Sequence, residues 1–305
     1  KESIFMENIK DYSFRWRWNM VNDFRPQSIE SSGIKSYPTA NYVNYYGMQN
    51  GYPINDMTKA DAESGYDPTH PWKNRDPRFY KTIMFDGVKW RNTGGAGGTA
   101  ELFTGGRESE EANEKKGCFT AYMNSKLCPQ LMNTFDGYKE NNIMILSLMR
   151  LADVYLMYAE ATAVGYNSPK GKAATYSLTA EEALNKIRER AGVAPVLEKF
   201  LGSTADFLSE LRRERAVELS FEGFRFTDLR RWMLLTQYPY TLKTKIEFDR
   251  ADPNNYNYDA PEENAIKNLR EVVLIERKYT DRHYWYPLPK KDVSMYEGFY
   301  QNPGW

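Results

Sequence analysis

The sequence predicts a mainly α-helical protein joined to a large loop-rich, aromatic-rich region with short strands, and three observations carry that expectation. Between residues 143 and 232, apolar side chains recur at helical spacing in successive stretches bounded by capping or stop signals. Before them, Tyr, Trp, Asn, Gly and Pro crowd a stretch with no sustained helical period. After them, proline punctuates an extended tail. The 305 residues, 41% of them hydrophobic, suffice to bury a sizeable core. The organisation expected is a loop-rich region over 1–142 and a helical scaffold with its tail over 143–305, packed as one integrated unit.

Taken in order, Tyr12-Ser-Phe-Arg-Trp16-Arg-Trp18 alternates at period two and predicts a strand. Ser31-Ser-Gly33, Tyr37-Pro38 and Asn50-Gly51-Tyr-Pro53 are turn signals flanking the aromatic cluster of Tyr42, Tyr45 and Tyr46. In Trp72-Lys-Asn-Arg-Asp76-Pro-Arg-Phe79, the proline biases Asp76 towards extended geometry. Arg75, Asp76 and Arg78 are expected to knot that turn. Asp86-Gly87, between residues 79–85 and 88–90, predicts a hairpin. Gly94-Gly-Ala-Gly-Gly98 contains part of a dinucleotide fingerprint but lacks the strand, helix and downstream acid that such a site needs. It reads as a flexible loop.

A long helix is expected over residues 143–164. At 100° per residue, Arg150, Asp153, Met157 and Glu160 share one stripe, and the rest is Leu, Ala, Val, Met and Tyr. A helix apolar nearly all round should be buried between neighbours. Thr179-Ala-Glu-Glu182 is a capping box, opening a second helix that presents Ala183, Leu184, Ile187 and Ala191 and stops at Gly192. A third is expected over residues 204–221, with Arg215, Glu218 and Glu222 projecting from the same face as Leu208, Leu211 and Leu219. Gly223 ends it, and Thr227 is expected to cap a short fourth helix through Trp232. Residues 238–261 read as loop and Val272-Val-Leu-Ile275 as an apolar run of either type. Tyr284-Trp-Tyr-Pro-Leu-Pro289 must be extended, with a short helix from Lys290.

Lys plus Arg and Asp plus Glu each number 41, and no basic run stands out, which argues against a nucleic-acid binder. Cys118 and Cys128 lack CxxC spacing and a third ligand, so no zinc site is expected, and a disulfide or two thiols fit equally. With only His70 and His283 present, neither a metal nor a cofactor is expected. No run of 18 apolar residues would span a membrane, and Lys1 does not open a signal peptide. Aromatics at 15%, with 23 Tyr, either fill gaps between irregular segments or form a surface for flat polar ligands such as sugars.

The charged helical face also has two readings. General acid–base chemistry needs carboxylates facing a cleft. Here each acid has an arginine within two turns: Arg150 with Asp153, Arg215 with Glu218, Arg225 with Asp228. Such neighbours hold a carboxylate ionised and spoil it as an acid. A structural network of Arg150, Asp153, Arg215, Glu218, Glu222, Arg225 and Asp228 is therefore favoured, with Arg215, Glu218 and Glu222 largely buried.

Together, Arg150-Leu-Ala-Asp153 through Glu160, Ile187-Arg188-Glu-Arg190-Ala-Gly192, and Glu214-Arg-Ala-Val-Glu218 through Trp232 resemble the SusD/RagB family. Asn74-Arg-Asp-Pro-Arg-Phe79, Tyr286-Pro-Leu-Pro289 and Gln301-Asn-Pro-Gly304 are similar to further landmarks of that family in the same order. The resemblance covers essentially the whole chain. Members usually run longer, with a lipoprotein cysteine and an N-terminal helical half, so it places this chain as the C-terminal portion. It implies a TPR-like α/α superhelical scaffold, interrupted here by residues 165–178. It further implies a surface lipoprotein of the outer membrane that captures oligosaccharide or another nutrient for a SusC-like TonB-dependent transporter. In that family the protein binds and does not catalyse. Ligand contacts vary within the family, so the candidates come from the loop-rich region: Tyr42, Tyr45, Tyr46 and Trp72 for stacking, with Asn41, Asn44 and Asn50 for hydroxyls. For each aromatic the alternative is packing against the helices. Trp232 and Trp285 are expected in the core. The other functional readings are a surface glycosidase or carbohydrate-active enzyme, and a protein that chiefly contacts the transporter.

Overall fold

The computed structural model describes residues 2–6, 37–92, 98–112, 114–127, 136 and 147–305. The Tyr12–Trp18 segment, most of the glycine run at 94–98, Cys128 and residues 143–146 lie outside them. In chain order the elements are β1 (Ser3–Met6), α1 (Ala40–Val43), α2 (Pro77–Thr82), β2 (Ile83–Met84), β3 (Met123–Asn124) and β4 (Ser147–Arg150). Then come α3 (Leu151–Gly165), α4 (Ala180–Ala191), α5 (Thr204–Glu218), α6 (Phe224–Arg231), β5 (Leu242–Arg250), β6 (Ile266–Glu276) and α7 (Lys290–Met295). The strands form three antiparallel pairs, β1–β4, β2–β3 and β5–β6. Among the described residues, no helix is long and apolar enough to cross a membrane.

Local chemistry explains several helix ends. The Thr179 hydroxyl accepts from Glu182 N while the Glu182 carboxylate accepts from Thr179 N, and Gly192 closes α4 at φ 74°. Ser203 caps α5 by accepting from Asp206 N. Asp76 caps α2, with Pro77 as the first helical residue.

Several expectations are corrected. Residues 147–150 are strand, because they pair with β1, and α3 starts only after Arg150 has turned extended (φ −139°). The helix buries one face, through Ala152, Leu156, Ala159 and Ala163, while Leu151, Met157 and Val164 stay exposed. Helix α6 starts at Phe224 after Gly223 (φ 86°), so Thr227 lies within it and caps nothing. A turn does close at Asp86-Gly87, with Val88 N donating to Phe85 O at 3.2 Å. Its flanks pair elsewhere, however: β2 with β3, and Lys89 with Thr99. Part of 238–261 is strand β5, which buries Thr244, Ile246, Phe248 and Arg250 in alternation. Val272 to Ile275 belong to β6. Trp232 is half-buried, and Trp285 is 55% exposed because it sits in an extended tail with little beneath it.

The largest core cluster joins loop residues such as Tyr46, Met57, Trp72, Phe79 and Phe85 to Val217 of α5 and to Ile246, Phe248 and Ile266 of the β5–β6 ribbon. A second cluster locks α3, α4 and α5 together through Ala159, Ala183, Leu184, Phe207 and Leu211. In the first cluster, loop residues thus pack directly against α5 and the β5–β6 ribbon.

Between these clusters, α5 buries charge. Glu214 is engaged by Arg78 and, at 3.0 Å, by Arg188 Nε. Glu210 binds Arg188 and Arg213. Glu218 meets Arg78 (2.9 Å), Arg150 (2.6 Å) and Arg190 (2.5 Å). Arg215 bridges Asp153 at 2.8 Å and Asp228 at 3.0 Å, and Asp228 is also held by Arg231. Arg150 reaches Glu222 at 2.8 Å, and Lys126 shares that carboxylate. The pairings Arg150–Asp153 and Arg215–Glu218 are thus exchanged for partners on other elements. Arg225 makes no ion pair among the described residues, because Asp228 is already held by two other arginines. Arg75 is fully buried but binds carbonyls rather than Asp76: those of Tyr46, Pro71 and Val43.

Removing one member of such a lattice strands its partners in low dielectric. Arg215→Met is expected to destabilise the fold by about 3–5 kcal/mol, measured by chemical denaturation at neutral pH. Burial pushes the Glu214 carboxyl up, but Arg78 and Arg188 outweigh it and bring it from 4.5 down to about 2. A depressed folded-state value stabilises above the unfolded one, and that contribution is lost as pH falls through the folded value. The denaturation midpoint should therefore fall between about pH 5 and pH 2. Glu214→Gln should flatten that dependence by on the order of 3 kcal/mol.

Candidate ligand-binding site

The seven residues singled out in the loop-rich region occupy three environments. Trp72 and Tyr46 are fully buried. Trp72 lies against Phe85 and Phe248, with centroids 5.0 and 5.3 Å away, and its indole N–H donates to Tyr122 Oη. Tyr46 Oη donates to Ser220 Oγ at 2.7 Å, and its ring meets Phe79 edge-on. With no free ring face, both support the surface from beneath, which corrects their expected role in stacking.

Helix α1 carries the second group. Asn41 clamps β5: its Nδ2 donates to Leu242 O at 2.8 Å, its Oδ1 accepts from Thr244 N, and its own N–H donates to Thr244 Oγ1. That anchor brings the next turn, Asn44 and Tyr45, beside β5 and α6. Tyr42 is half-buried, with Oη donating to Ala216 O at 2.6 Å, and burial raises its pKa well above the usual value. Tyr45 is half-buried too, edge-on to Tyr42 at 5.8 Å. The Arg225 guanidinium lies 4.8 Å from the Tyr45 ring and 5.5 Å from that of Tyr240. Asn44 Oδ1 is buried without a hydrogen-bond partner.

Only Asn50 is exposed. It lines an open depression of about 420 Å³ together with Met48, Gln49, Ser64, Gly65 and Asn74. Gln49 is fixed on both sides, its N–H donating to Asn74 O and its O accepting from Ala194 N, each at 3.0 Å. Asn50 Nδ2 donates to Ser64 O at 2.9 Å, and Oδ1 accepts from Tyr52 N. Each primary amide still has spare hydrogen-bonding capacity. A wall of side-chain amides without charge suits a polyhydroxylated ligand. Gln49, Ser64 and Asn74 were not singled out from sequence. Gln49 adjoins the turn residues 50–53 and Asn74 opens the Asn74-Arg-Asp-Pro motif, whereas Ser64 carries no signal in the sequence.

A larger hollow of about 530 Å³ is lined by Arg78, Lys126, Arg150, Arg190, Glu218 and Glu222 among others. Its charges are those already paired across the helices. Burial would raise Glu218, but Arg78 and Arg150 hold it below the usual carboxylate range, unsuited to donating a proton. Asp86, which burial pushes up, is sealed in the core against Arg250. Cys118 is buried and free, its thiol raised by burial to about 11. No group of His, Cys, Asp and Glu fit to hold a metal occurs among the described residues.

Comparison with known proteins follows this geometry. A SusD-like protein from Bacteroides fragilis NCTC 9343 is 23% identical with a TM-score of 0.69, covering 100% of this chain and 54% of that one. A SusD-like carbohydrate binding protein from the same organism is 18% identical with a TM-score of 0.60, covering 90% and 50%. A SusD superfamily protein from Parabacteroides distasonis ATCC 8503 is 18% identical at 0.50, covering 100% and 50%. The chain spans about half the length of each of these proteins. No curated protein matches significantly. A sequence model of the SusD family matches residues 1–305, and the TPR-like helical fold is the one those SusD-like structures share: the chain belongs to the SusD family.

Proposed function

We propose that this chain acts in a cell-surface protein that captures oligosaccharide and delivers it to a SusC-like TonB-dependent transporter of the outer membrane, where a lipid anchor holds it. The observation that carries this reading is the SusD family match over all 305 residues. The description of one structural neighbour as a carbohydrate binding protein supports it. The amide-lined depression at Asn50 supplies a surface of suitable chemistry. Gln49, Asn50 and Asn74 bind sugar hydroxyls there. Asn41, Asn44, Tyr42 and Tyr45 form a second polar and aromatic edge, and Tyr46 and Trp72 hold both in place from below. The protein binds without chemistry in this reading, which accords with carboxylates held ionised along α5.

A glycan array followed by calorimetry tests it. Saturable binding without product formation is expected. Asn50→Ala should weaken it about tenfold, the value of roughly 1.4 kcal/mol for hydrogen bonds lost at one amide, with a stability loss of about 1–3 kcal/mol for its bonds to Ser64 O and Tyr52 N that leaves the chain folded. Turnover of a bound glycan would favour the glycosidase reading, and failure of every saccharide to bind would leave a role confined to transporter contact.

A further inference from the structure

Along α5 every buried carboxylate is matched by cations, whereas one cluster beside α1 has cations and, among the described residues, no carboxylate paired with them. Arg225 makes no ion pair among the described residues, and its Nη1 is buried without a hydrogen-bond partner. Lys243 and Arg277 likewise make no ion pair there, and Arg277 Nη1 donates only to Tyr279 Oη, at 2.9 Å.

The fold brings the three together. Lys243 stands opposite Ile275 in the β5–β6 ribbon, and Arg277 N donates to Thr241 O. Arg277 therefore lies one diagonal step from Lys243 on the same face, within reach of long side chains. Glu276, between Ile275 and Arg277, alternates to the opposite face. Asn41 pins α1 to the same stretch of β5, and Tyr45, one turn on, contacts Arg225. The carboxylates next to Arg225 in sequence are occupied, Glu222 by Arg150 and Lys126 and Asp228 by Arg215 and Arg231. Arg225 also stands in the first turn of α6, where no acid and no side-chain cap offset the positive end of the helix. Burial, then the like charges of Arg277 and Arg225, depress the Lys243 ammonium below its usual value. Two half-buried cations, Arg225 and Lys243, beside the exposed Arg277 repel one another, an unfavourable arrangement unless an anion relieves it.

We infer that Arg225, Lys243 and Arg277, flanked by Tyr45, Tyr240 and Tyr279, form a subsite for an oxyanion carried on a saccharide ring, a carboxylate or a sulfate ester. Guanidinium forks match either group, and the aromatic rings flank the sugar that bears it. The inference rests on the oligosaccharide-binding reading and narrows its ligand to an acidic glycan.

Calorimetry with oligogalacturonides, their carboxyl-reduced counterparts and chondroitin sulfate oligosaccharides tests it. Tighter binding of an acidic probe than of a neutral one is expected, by about tenfold or more for one charge-assisted contact, and it should weaken with salt. The two acidic probes distinguish carboxylate from sulfate as the preferred group. Arg277→Gln, at an exposed position, and Lys243→Gln should each abolish the preference while leaving affinity for the neutral probe unchanged. Equal affinity for acidic and carboxyl-reduced forms, or a preference that survives both substitutions, overturns the subsite while glycan binding stands. Absence of binding to every probe, neutral ones included, overturns the binding reading along with it.

Discussion

Glu210, Glu214 and Glu218 stand one helical turn apart on α5, each almost without solvent. A buried carboxylate is tolerated only if cations and hydrogen bonds replace its water. That requirement positions much of the molecule. Arg78 must come from α2, Arg188 and Arg190 from α4, Arg150 from the end of β4, and Arg213 from α5 itself. Arg215, next to Glu214 in the chain and 100° further round the helix, ties α3 to α6 through Asp153 and Asp228. Apolar packing alone would let these helices slide. Directional bonds to fixed carboxylates set their registers, at the expense of making every member hard to replace.

A comparable constraint shapes the loop-rich half, where Arg75 takes the place of regular structure. Its guanidinium gathers the carbonyls of Val43, Tyr46 and Pro71 and lies 4.6 Å from the ring of Phe79. Backbone groups that a strand or helix would satisfy are satisfied here by one side chain. The polar depression at Asn50 and the aromatic edge at Tyr45 lie on the rim of this unit, while Trp72 and Tyr46 fill its centre. Position in the chain therefore says little about which aromatics face solvent.

The legible parts of the sequence were those with local causes. The capping box at Thr179, the glycine stop at Gly192 and the mainly helical scaffold follow from neighbours within a turn. Strand β5 was obscured because Lys, Thr, Glu and Asp supply much of its alternation, yet Thr244, Ile246, Phe248 and Arg250 do keep period two. Ion-pair partners were less legible still. Sequence offered Asp153 to Arg150, whereas the fold offered Glu218 and Glu222, 68 and 72 residues away. Among the candidate binders, Asn50 could be placed near a turn, but the burial of Trp72 depends on Phe248 and Tyr122, which only tertiary packing brings close.

The clamp of Asn41 on β5 has a consequence for the order in which the chain acquires its shape. Its bonds to Leu242 and Thr244 span 201 and 203 residues, and Asp86 waits for Arg250 across 164. Contacts of such separation carry a large loop-closure cost and form late. During synthesis the aromatic region emerges before the β5–β6 ribbon, and it cannot complete its core until that ribbon has left the ribosome. Until then its tyrosines and tryptophans remain open to wrong partners, so a holding chaperone would matter most over that interval.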